Sequence, residues 1–389
     1  MDALFTSSGS LLAIMAVTVA LGFYLQRFKG LKMLGPALIV ILISIVLANL
    51  KVVPFEAEVY GIIAEYAIPL SIAMMLLSVD LKMMAKLSKK PLVAVVLAAL
   101  SVSVVTLVAG IIFAPMIEEG WKIAGMFIGT YTGGSSNLTA IGYGLDAAPT
   151  TFAAANAADY VIGIPTLILM FAFPAIAARS KLFNKIWPYS LSTIELEGGE
   201  EVDEDAFLES KKWSIQDIAW AFAIGFAITA LATFLSGYAP ESFQSAARIL
   251  LITTLAIVAA QISPVKKLRG NMDLGLFAAL FFLTTIGYMV NIKDFVGSTL
   301  AIAMFCLVVV VCSLVLHAFL CRLFKIEYQY VIISIVASIA DGPTSALVAA
   351  SAKWKALVSL AVVLGVIGMV LGNYLGIGVA YLIKFIIGA

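Results

Sequence analysis

The chain has 389 residues, of which 62% are hydrophobic and only 12% are charged, whereas about a quarter of the residues of soluble proteins are charged. With a mean hydropathy of +1.09, this composition excludes an ordinary soluble protein and predicts a polytopic membrane protein. The net charge of +1 argues against nucleic acid as a partner.

Apolar segments of roughly 18 to 25 residues, the length that crosses a bilayer, recur along the chain. They predict a first transmembrane repeat (1–178), an acidic linker (179–213) that is solvated and flexible, and a second transmembrane repeat (214–389). The first half contains the segments 8–26, 36–53, 60–78, 91–114, 121–144 and 151–177. The second half contains the segments 215–235, 247–262, 274–290, 296–319, 328–351 and 356–383.

The fifth segment of each half contains a polar motif that would break a helix. The first motif is GTYTGGSSNLTAIGYG (129–144), and the second is SIADGPTSALVAAS (338–351). Irregular backbone at membrane depth is tolerated only where it is buried in protein or lines a polar cavity. Two such motifs at corresponding places in two halves are typical of secondary transporters.

Positive charges indicate how the segments cross, because Lys and Arg concentrate in cytoplasmic loops. They follow the first and third segments and flank both ends of the linker. Six full crossings would place the linker outside, whereas five crossings plus a motif segment that folds back place it in the cytoplasm. We therefore predict an all-α fold of two inverted repeats, each with five transmembrane helices and one re-entrant or broken-helix motif, with both termini outside. Twelve crossing segments are the alternative.

The tips of the motifs are the predicted binding positions for a small, anionic organic solute. Half-helix N-termini present free N–H groups that attract carboxylates, while hydroxyls and unwound carbonyls suit Na⁺. The candidates are Thr130, Thr132, Gly133, Gly134, Ser135, Ser136 and Asn137 in the first motif and Gly342, Pro343, Thr344 and Ser345 in the second. Close packing between helices is the other explanation for such small residues.

Two aspartates are predicted to lie deep in the membrane, Asp159 in the sixth segment and Asp341 in the second motif. A charged group there costs at least about 2.5 to 3.5 kcal/mol, and no Lys or Arg occupies the interior of a predicted segment. We therefore predict that they take up a coupling cation, Na⁺ or H⁺, together with Asn156 and Ser338. A protonated structural aspartate is the alternative.

Other kinds of site lack support in the sequence. The chain has one histidine and three cysteines, without a spacing typical of metal ligands or a phosphate-binding loop. We therefore expect no enzyme activity, no metal site and no cofactor apart from the coupling ion.

The segments GTYTGGSSNLTAIGYGLDA and ASIADGPTSALVAASAKWKALVSLAVVLGVIGMVLGNYLG resemble the signature regions of the bacterial membrane proteins grouped as domain of unknown function 819. The layout is similar over nearly the whole chain, and more distantly similar to glutamate:sodium symporters and citrate-type 2-hydroxycarboxylate transporters. That resemblance implies an elevator movement, a homodimer in the bacterial cytoplasmic (inner) membrane, and binding at the two tips. Asp341, Gly342 and Pro343 replace a glycine-richer run of the symporters, which leaves the solute open.

These features predict a secondary active transporter that couples a small, anionic organic solute to Na⁺ or H⁺. Two alternatives stay open at this point. One is a monovalent cation/proton antiporter in which the two aspartates form the whole transport site. The other is a passive channel or holin-like membrane protein, in which the motif segments gate a pore.

Overall fold

A computed structural model describes residues 3–28, 35–85, 88–197, 213–290 and 299–389. Every regular element in these ranges is a helix. Nine of the helices in the described ranges are long and apolar enough to cross a membrane. The prediction of an all-α polytopic membrane protein is confirmed.

The helices of the first half begin and end within a few residues of the predicted segments. Helices dominate because a segment in lipid must satisfy its backbone N–H and C=O groups internally. These helices are α1 (Ser8–Tyr24), α2 (Gly35–Asn49), α3 (Glu58–Leu76), α4 (Leu81–Ala85), α5 (Lys89–Phe113), α6 (Gly120–Gly133), α7 (Ser135–Gly144) and α8 (Pro149–Arg179).

The second half follows two short helices of the linker. Its first long helix starts at a capping box, in which Ser214 and Asp217 satisfy each other's backbone N–H groups. The linker helices are α9 (Lys181–Ile186) and α10 (Thr193–Glu197). The helices of the second half are α11 (Ile215–Ser236), α12 (Gln244–Ala260), α13 (Ser263–Lys266), α14 (Asn271–Tyr288), α15 (Thr299–Leu323), α16 (Tyr328–Ile339), α17 (Gly342–Ser351) and α18 (Val358–Ile387).

The first part of the linker is packed against the protein. The Trp187 side chain is buried, and its indole N–H donates to the carbonyl of Ile326 over 3.0 Å. The Tyr328 N–H donates to the carbonyl of Tyr189 over 3.1 Å. The linker is therefore anchored at Trp187 and Tyr189, because its aromatic residues provide apolar surface to bury, whereas most of its other side chains are exposed. Residues 198–212 lie outside the described residues.

Each motif segment folds back on itself. In hairpin 1 (α6 and α7), a Cβ atom placed on Gly129 would lie 3.0 Å from the carbonyl oxygen of Asn137, on the opposite arm. In hairpin 2 (α16 and α17), the Ser345 hydroxyl donates to the carbonyl of Ile333 over 2.7 Å. Contacts of this kind require antiparallel arms, so the motif segments are re-entrant and do not form twelve crossings.

The two hairpins enter from opposite ends of α18. At the base of hairpin 1, the Trp121 ring lies 5.6 Å from the ring of Tyr381, near the C-terminal end of α18. The base of hairpin 2 lies at the other end, where Trp354 lies one 3₁₀ turn before α18 and its ring is 6.0 Å from the ring of Tyr328. The hairpins therefore have opposite orientations, as inverted repeats require.

The helices form two groups, and each group takes the same elements from both halves of the chain. Contacts within each group are far more numerous than contacts between the groups. The frame group consists of α1, α2, α3, α11, α12 and α14. The hairpin group consists of α5, α8, α15, α18 and the two hairpins.

Candidate functional site

The tips of the two hairpins touch each other. Gly134 ends α6 and has φ +83°, a left-handed conformation that glycine adopts without strain. A Cβ atom at this position would overlap the carbonyl oxygen of Ala340, at the tip of hairpin 2. Only glycine fits, which explains the helix-breaking residue at the centre of the first motif.

Both tips pack against a row of glycines in the middle of α18. A Cβ atom on Gly365 would overlap the backbone of Gly342, and one on Gly368 would overlap the carbonyl of Thr132. The Asn137 side chain donates to the carbonyl of Met369 over 2.8 Å. The residues predicted for binding and coupling do not include these glycines, although small residues at 365, 368, 372 and 376 are the usual signal for close helix packing.

Asp159 on α8 is the one buried carboxylate among the described residues, with 5% of its surface exposed. The Thr130 hydroxyl of hairpin 1 donates to its Oδ2 atom over 3.2 Å, and the Tyr131 side chain lies close to the carboxylate. The ion pairs of the described part of the chain do not include Asp159. An unpaired charge at this depth would be very costly, so the carboxylate needs a proton or a bound cation.

Tyr160, the neighbour of Asp159, also reaches hairpin 1. Its side chain lies close to the side chain of Ser135. Asn156 lies one turn before these residues and donates to the carbonyl of Phe152 in its own helix over 3.0 Å. The structure therefore brings Asp159, Thr130 and Ser135 into one cluster, whereas the amide of Asn156 serves its own helix.

Asp341 has a structural task at the tip of hairpin 2. Its Oδ1 atom accepts a hydrogen bond from the Thr344 N–H over 2.7 Å, and its carbonyl accepts one from the Ser345 N–H over 3.1 Å. This is the geometry of an N-cap for α17. The role of Asp341 in cation coupling stays a prediction, because capping alone accounts for a carboxylate at this position.

Several polar groups around the tips have no hydrogen-bond partner among the described residues. The hydroxyls of Thr132 and Ser338 and the Oδ1 atom of Asn373 are buried in this way. Buried polar groups normally have partners, so these atoms indicate a place where a ligand or water is bound.

A cavity of about 10 Å³ lies between hairpin 1 and the frame group; we call it the solute cavity. Hairpin 1 contributes Ser136, Asn137 and Thr139, and α18 contributes Asn373. The frame side is mainly apolar and includes Ile68. The predicted residues Ser136 and Asn137 therefore line a cavity, whereas Gly134 and Gly342 hold the two tips against their neighbours.

The base of hairpin 1 is fixed by an acidic side chain outside the membrane-spanning segments. Partial burial raises the pKa of Glu119, but hydrogen bonds from Lys122, the Ala148 N–H and Thr151 outweigh it, so the pKa lies below its ordinary value. The Glu119 carboxylate accepts from the Ala148 N–H over 2.8 Å. It thereby ties the start of hairpin 1 to the start of α8.

Comparisons with known proteins find one family and one curated membrane protein that are similar to this chain. A family described as "Protein of unknown function (DUF819)" matches residues 13–386. The curated protein "Uncharacterized membrane protein YjcL" of Bacillus subtilis (strain 168) is 24% identical over 362 residues, which cover 90% of this chain and 90% of that protein. Neither match is to a symporter, so the more distant resemblance to symporters stays a prediction.

Proposed function

The chain belongs to the DUF819 family of membrane proteins of unknown function, and we propose that it is a secondary active transporter of a small, anionic organic solute. Transport is coupled to Na⁺ or H⁺ and proceeds by an elevator movement. The observation that carries this proposal is the meeting of two oppositely oriented hairpins beside α18, next to a buried carboxylate. In this proposal the residues at the two hairpin tips contact the solute, and the Asp159 carboxylate makes transport depend on a cation.

The solute cavity supports a movement of one group along the other. Its hairpin side carries hydroxyl and amide groups, while most of its frame side consists of apolar side chains such as Ile68 and Met75. A polar solute held by hairpin 1 could therefore travel along the frame group without leaving strong polar contacts there. At about 10 Å³ the cavity is too small for an organic solute, so binding requires the groups or the hairpins to separate.

The N-terminus of α7 is the better position for the carboxylate of the solute. Helix N-termini attract anions because their N–H groups are free and the helix dipole is positive there. At α17 this end is occupied by the Asp341 carboxylate. At α7 the cap is Gly134, which has no side chain to compete. Ser135 and Ser136 would thus meet the solute.

Charges at the two hairpin bases support the proposed orientation. Basic residues concentrate in cytoplasmic loops, and they surround the base of hairpin 2. Those residues are Lys89, Lys90, Arg322, Lys325, Lys353 and Lys355. The base of hairpin 1 carries Glu118, Glu119 and Asp146, with Lys122 and Lys384 as exceptions. Hairpin 2 therefore opens to the cytoplasm in our proposal, both termini lie outside, and the protein is a homodimer in the bacterial cytoplasmic (inner) membrane.

The experiment that tests the proposal is a thermal-shift screen of the purified protein. Small carboxylates, amino acids and dipeptides are each added with Na⁺ and with K⁺, at two pH values. A ligand at a hundredfold excess over its Kd stabilises the native state by about 2.7 kcal/mol. We expect a carboxylate to stabilise only with Na⁺ or only at the lower pH, and the same solute to accumulate in proteoliposomes against its gradient.

A monovalent cation/proton antiporter is the second candidate, because the described residues contain a single buried carboxylate and the solute cavity, at about 10 Å³, has no room for an organic solute. Stabilisation by cations alone, with no solute effect, would favour it. Solute flux without accumulation would instead indicate a passive channel.

A further inference from the structure

A basic side chain lies at the boundary between the frame group and hairpin 1. Arg248 is in the second turn of α12, and its Nη2 atom donates to the Tyr143 hydroxyl over 2.6 Å. Its guanidinium carbon lies 5.0 Å from the centre of the Tyr143 ring. Tyr143 belongs to α7, at the base of hairpin 1. The contact therefore joins the two groups of helices, and the transport mechanism proposed above does not use it.

The guanidinium of Arg248 has more hydrogen-bond donors than the fold uses. An arginine carries five N–H donors in a planar fork that matches the geometry of a carboxylate. The hydrogen bond to Tyr143 uses one of them, and the buried Nε atom has no partner among the described residues. The ion pairs of the described ranges do not include Arg248. Buried donors normally have an acceptor, so the Nε atom indicates a place where an acceptor binds, and the positive charge favours an anion.

Two other basic residues at this end of the molecule have their charge engaged by the fold. Lys122 forms an ion pair with Glu119. The ammonium of Lys384 lies 4.7 Å from the centre of the Trp121 ring, a favourable cation–π contact. Neither ammonium is buried without a hydrogen-bond partner. Arg248 differs from both because a buried donor of its charged group is left over.

The contact between Arg248 and Tyr143 lies about one turn from the solute cavity. Thr139 lines that cavity, and Tyr143 follows it by four residues on α7, so the two side chains share a face of this helix. Ser136, at the N-terminal end of α7, lies about 10 Å further along the helix. A solute that moves along this boundary from the base of hairpin 1 therefore meets Arg248 before it meets Ser136.

We propose that Arg248 is a capture site for a carboxylate of the solute, at the mouth of the boundary between hairpin 1 and the frame group. This rests on the proposed transport function and adds a first binding position to it. In this structure the Tyr143 hydroxyl is hydrogen-bonded to the guanidinium. When hairpin 1 moves along the frame group, the carboxylate takes the place of this hydroxyl and accepts two charge-assisted hydrogen bonds. It then passes to the N-terminus of α7.

Acidic residues near this mouth make the shape of the anion important. Glu65 of α3 and Asp146, which follows α7, lie near Tyr143. Both are exposed, and neither forms an ion pair with Arg248. Their negative charges oppose the attraction of anions in general. Binding therefore depends on the match between the fork and a planar carboxylate, and a spherical anion such as chloride gains less.

The test is the stabilisation of the detergent-purified protein by formate, acetate and succinate, with chloride at the same ionic strength as the reference. It is done in K⁺ at the higher pH, so that the deeper site lacks its coupling cation. Formate is the smallest carboxylate, so lack of space does not hide the site. We expect the melting temperature of the wild type to rise. In Arg248→Gln the Kd derived from that rise should be about tenfold to a hundredfold higher, because hydrogen bonds to a charged group are lost.

Two further variants make the test specific. Tyr143→Phe keeps the ring but removes the hydroxyl that competes for the guanidinium, so it should bind the carboxylate a few times more tightly. It also decides the question if Arg248→Gln does not fold. Lys384→Gln is the matched control, because it removes the same charge at the same end of the molecule. It should bind the carboxylate like the wild type.

Several outcomes would overturn the capture site. They are a wild type that no carboxylate stabilises, equal affinities in the wild type and Arg248→Gln, unchanged or weaker binding in Tyr143→Phe, and an equal loss in Lys384→Gln. Stabilisation by inorganic phosphate but by no carboxylate would instead indicate a site for lipid headgroups. Binding that depends on Arg248 in a protein that transports no solute would overturn the proposed function and leave this site standing. Coupled uptake with an unchanged KM in Arg248→Gln would do the reverse.

Discussion

At the scale of single residues, the two aspartates of the candidate site do different things. Asp159 is buried among hydroxyl groups, whereas Asp341 is partly exposed and caps a helix. A carboxylate that only completes a cap is tied to the fold, but a buried carboxylate without a basic partner is costly and points to a function. In the proposed transport function we therefore assign the cation dependence to Asp159.

Replacing Asp159 with Asn should abolish cation-dependent uptake and leave the folded protein at least as stable as the wild type. The amide oxygen can still accept from Thr130, and a neutral group costs less to bury than a charged one. Uptake by proteoliposomes and the melting temperature in detergent measure the two effects. Thr166→Ala is the control and should take up solute like the wild type, because the Thr166 hydroxyl lies on the same helix and donates to the carbonyl of Ile162 in its own turn. Retained cation-dependent uptake in Asp159→Asn would remove this residue from the mechanism.

Two substitutions of Asp341 separate capping from coupling. Asn is a good N-cap, whereas Ala cannot accept the hydrogen bond from the Thr344 N–H, which typically costs about 1 kcal/mol. If Asp341 acts only as a cap, Asp341→Asn should melt and transport like the wild type, and Asp341→Ala should be less stable. A stable Asp341→Asn protein that no longer couples uptake to a cation would show that the carboxylate also binds the ion.

At the scale of elements, the hairpins depend on α18 more than on each other. Both tips meet the same stretch of this helix, where glycines let the backbones approach. A methyl group there has no space, and overpacking typically costs about 1 to 3 kcal/mol. The middle of α18 is therefore as much a part of the site as the motifs are.

The substitution Gly368→Ala tests this contact. The added Cβ would overlap the carbonyl of Thr132, whereas a Cβ on Gly378 of the same helix would meet nothing within 4 Å. We expect Gly368→Ala to lose about 1 to 3 kcal/mol and most of its uptake, and Gly378→Ala to behave like the wild type. Equal stability and transport in the two variants would contradict the packing of the tips on α18.

The base of hairpin 1 should loosen in acid. Because the pKa of Glu119 in the folded protein lies below its ordinary value of 4.5, its hydrogen bonds stabilise the protein fully above that pH. The stabilisation is lost as the pH falls further, through the lowered pKa. Glu119→Gln should remove this pH dependence from the melting temperature, and Glu118→Gln, at an exposed neighbour, should keep it. If the melting temperature of Glu119→Gln fell in acid as it does in the wild type, the hydrogen bonds of Glu119 would not be the cause of the acid sensitivity.

At the scale of the whole molecule, the sequence predicted the helices and the fold-back of the motifs well. Apolar length and the distribution of Lys and Arg are local signals, and the bilayer sets a fixed length for each segment. The sequence alone could not predict that Gly134 touches Ala340, or that Gly368 touches Thr132, because such contacts join residues far apart in the chain. Trp187 was missed because its burial depends on the distant loop at Ile326.

The proposed elevator movement carries the hairpin group along the frame group, and a cross-link between the groups can test it. The Thr254 hydroxyl on α12 lies 2.8 Å from the Tyr374 hydroxyl on α18, so this pair joins the two groups. Thr254→Cys with Tyr374→Cys, in a protein whose three native cysteines are replaced, should lose uptake after treatment with a reducible thiol cross-linker and regain it on reduction.

The matched pair lies within the hairpin group. Lys90 and Glu327 form an ion pair between α5 and the base of hairpin 2, so Lys90→Cys with Glu327→Cys should be cross-linked without losing uptake, because these elements travel together. If the Thr254 and Tyr374 positions are fully cross-linked and uptake continues, the hairpin group does not slide along the frame. A solute could then reach the solute cavity only if the hairpins themselves opened, because the cavity, as the two groups are packed in this structure, is too small for a solute.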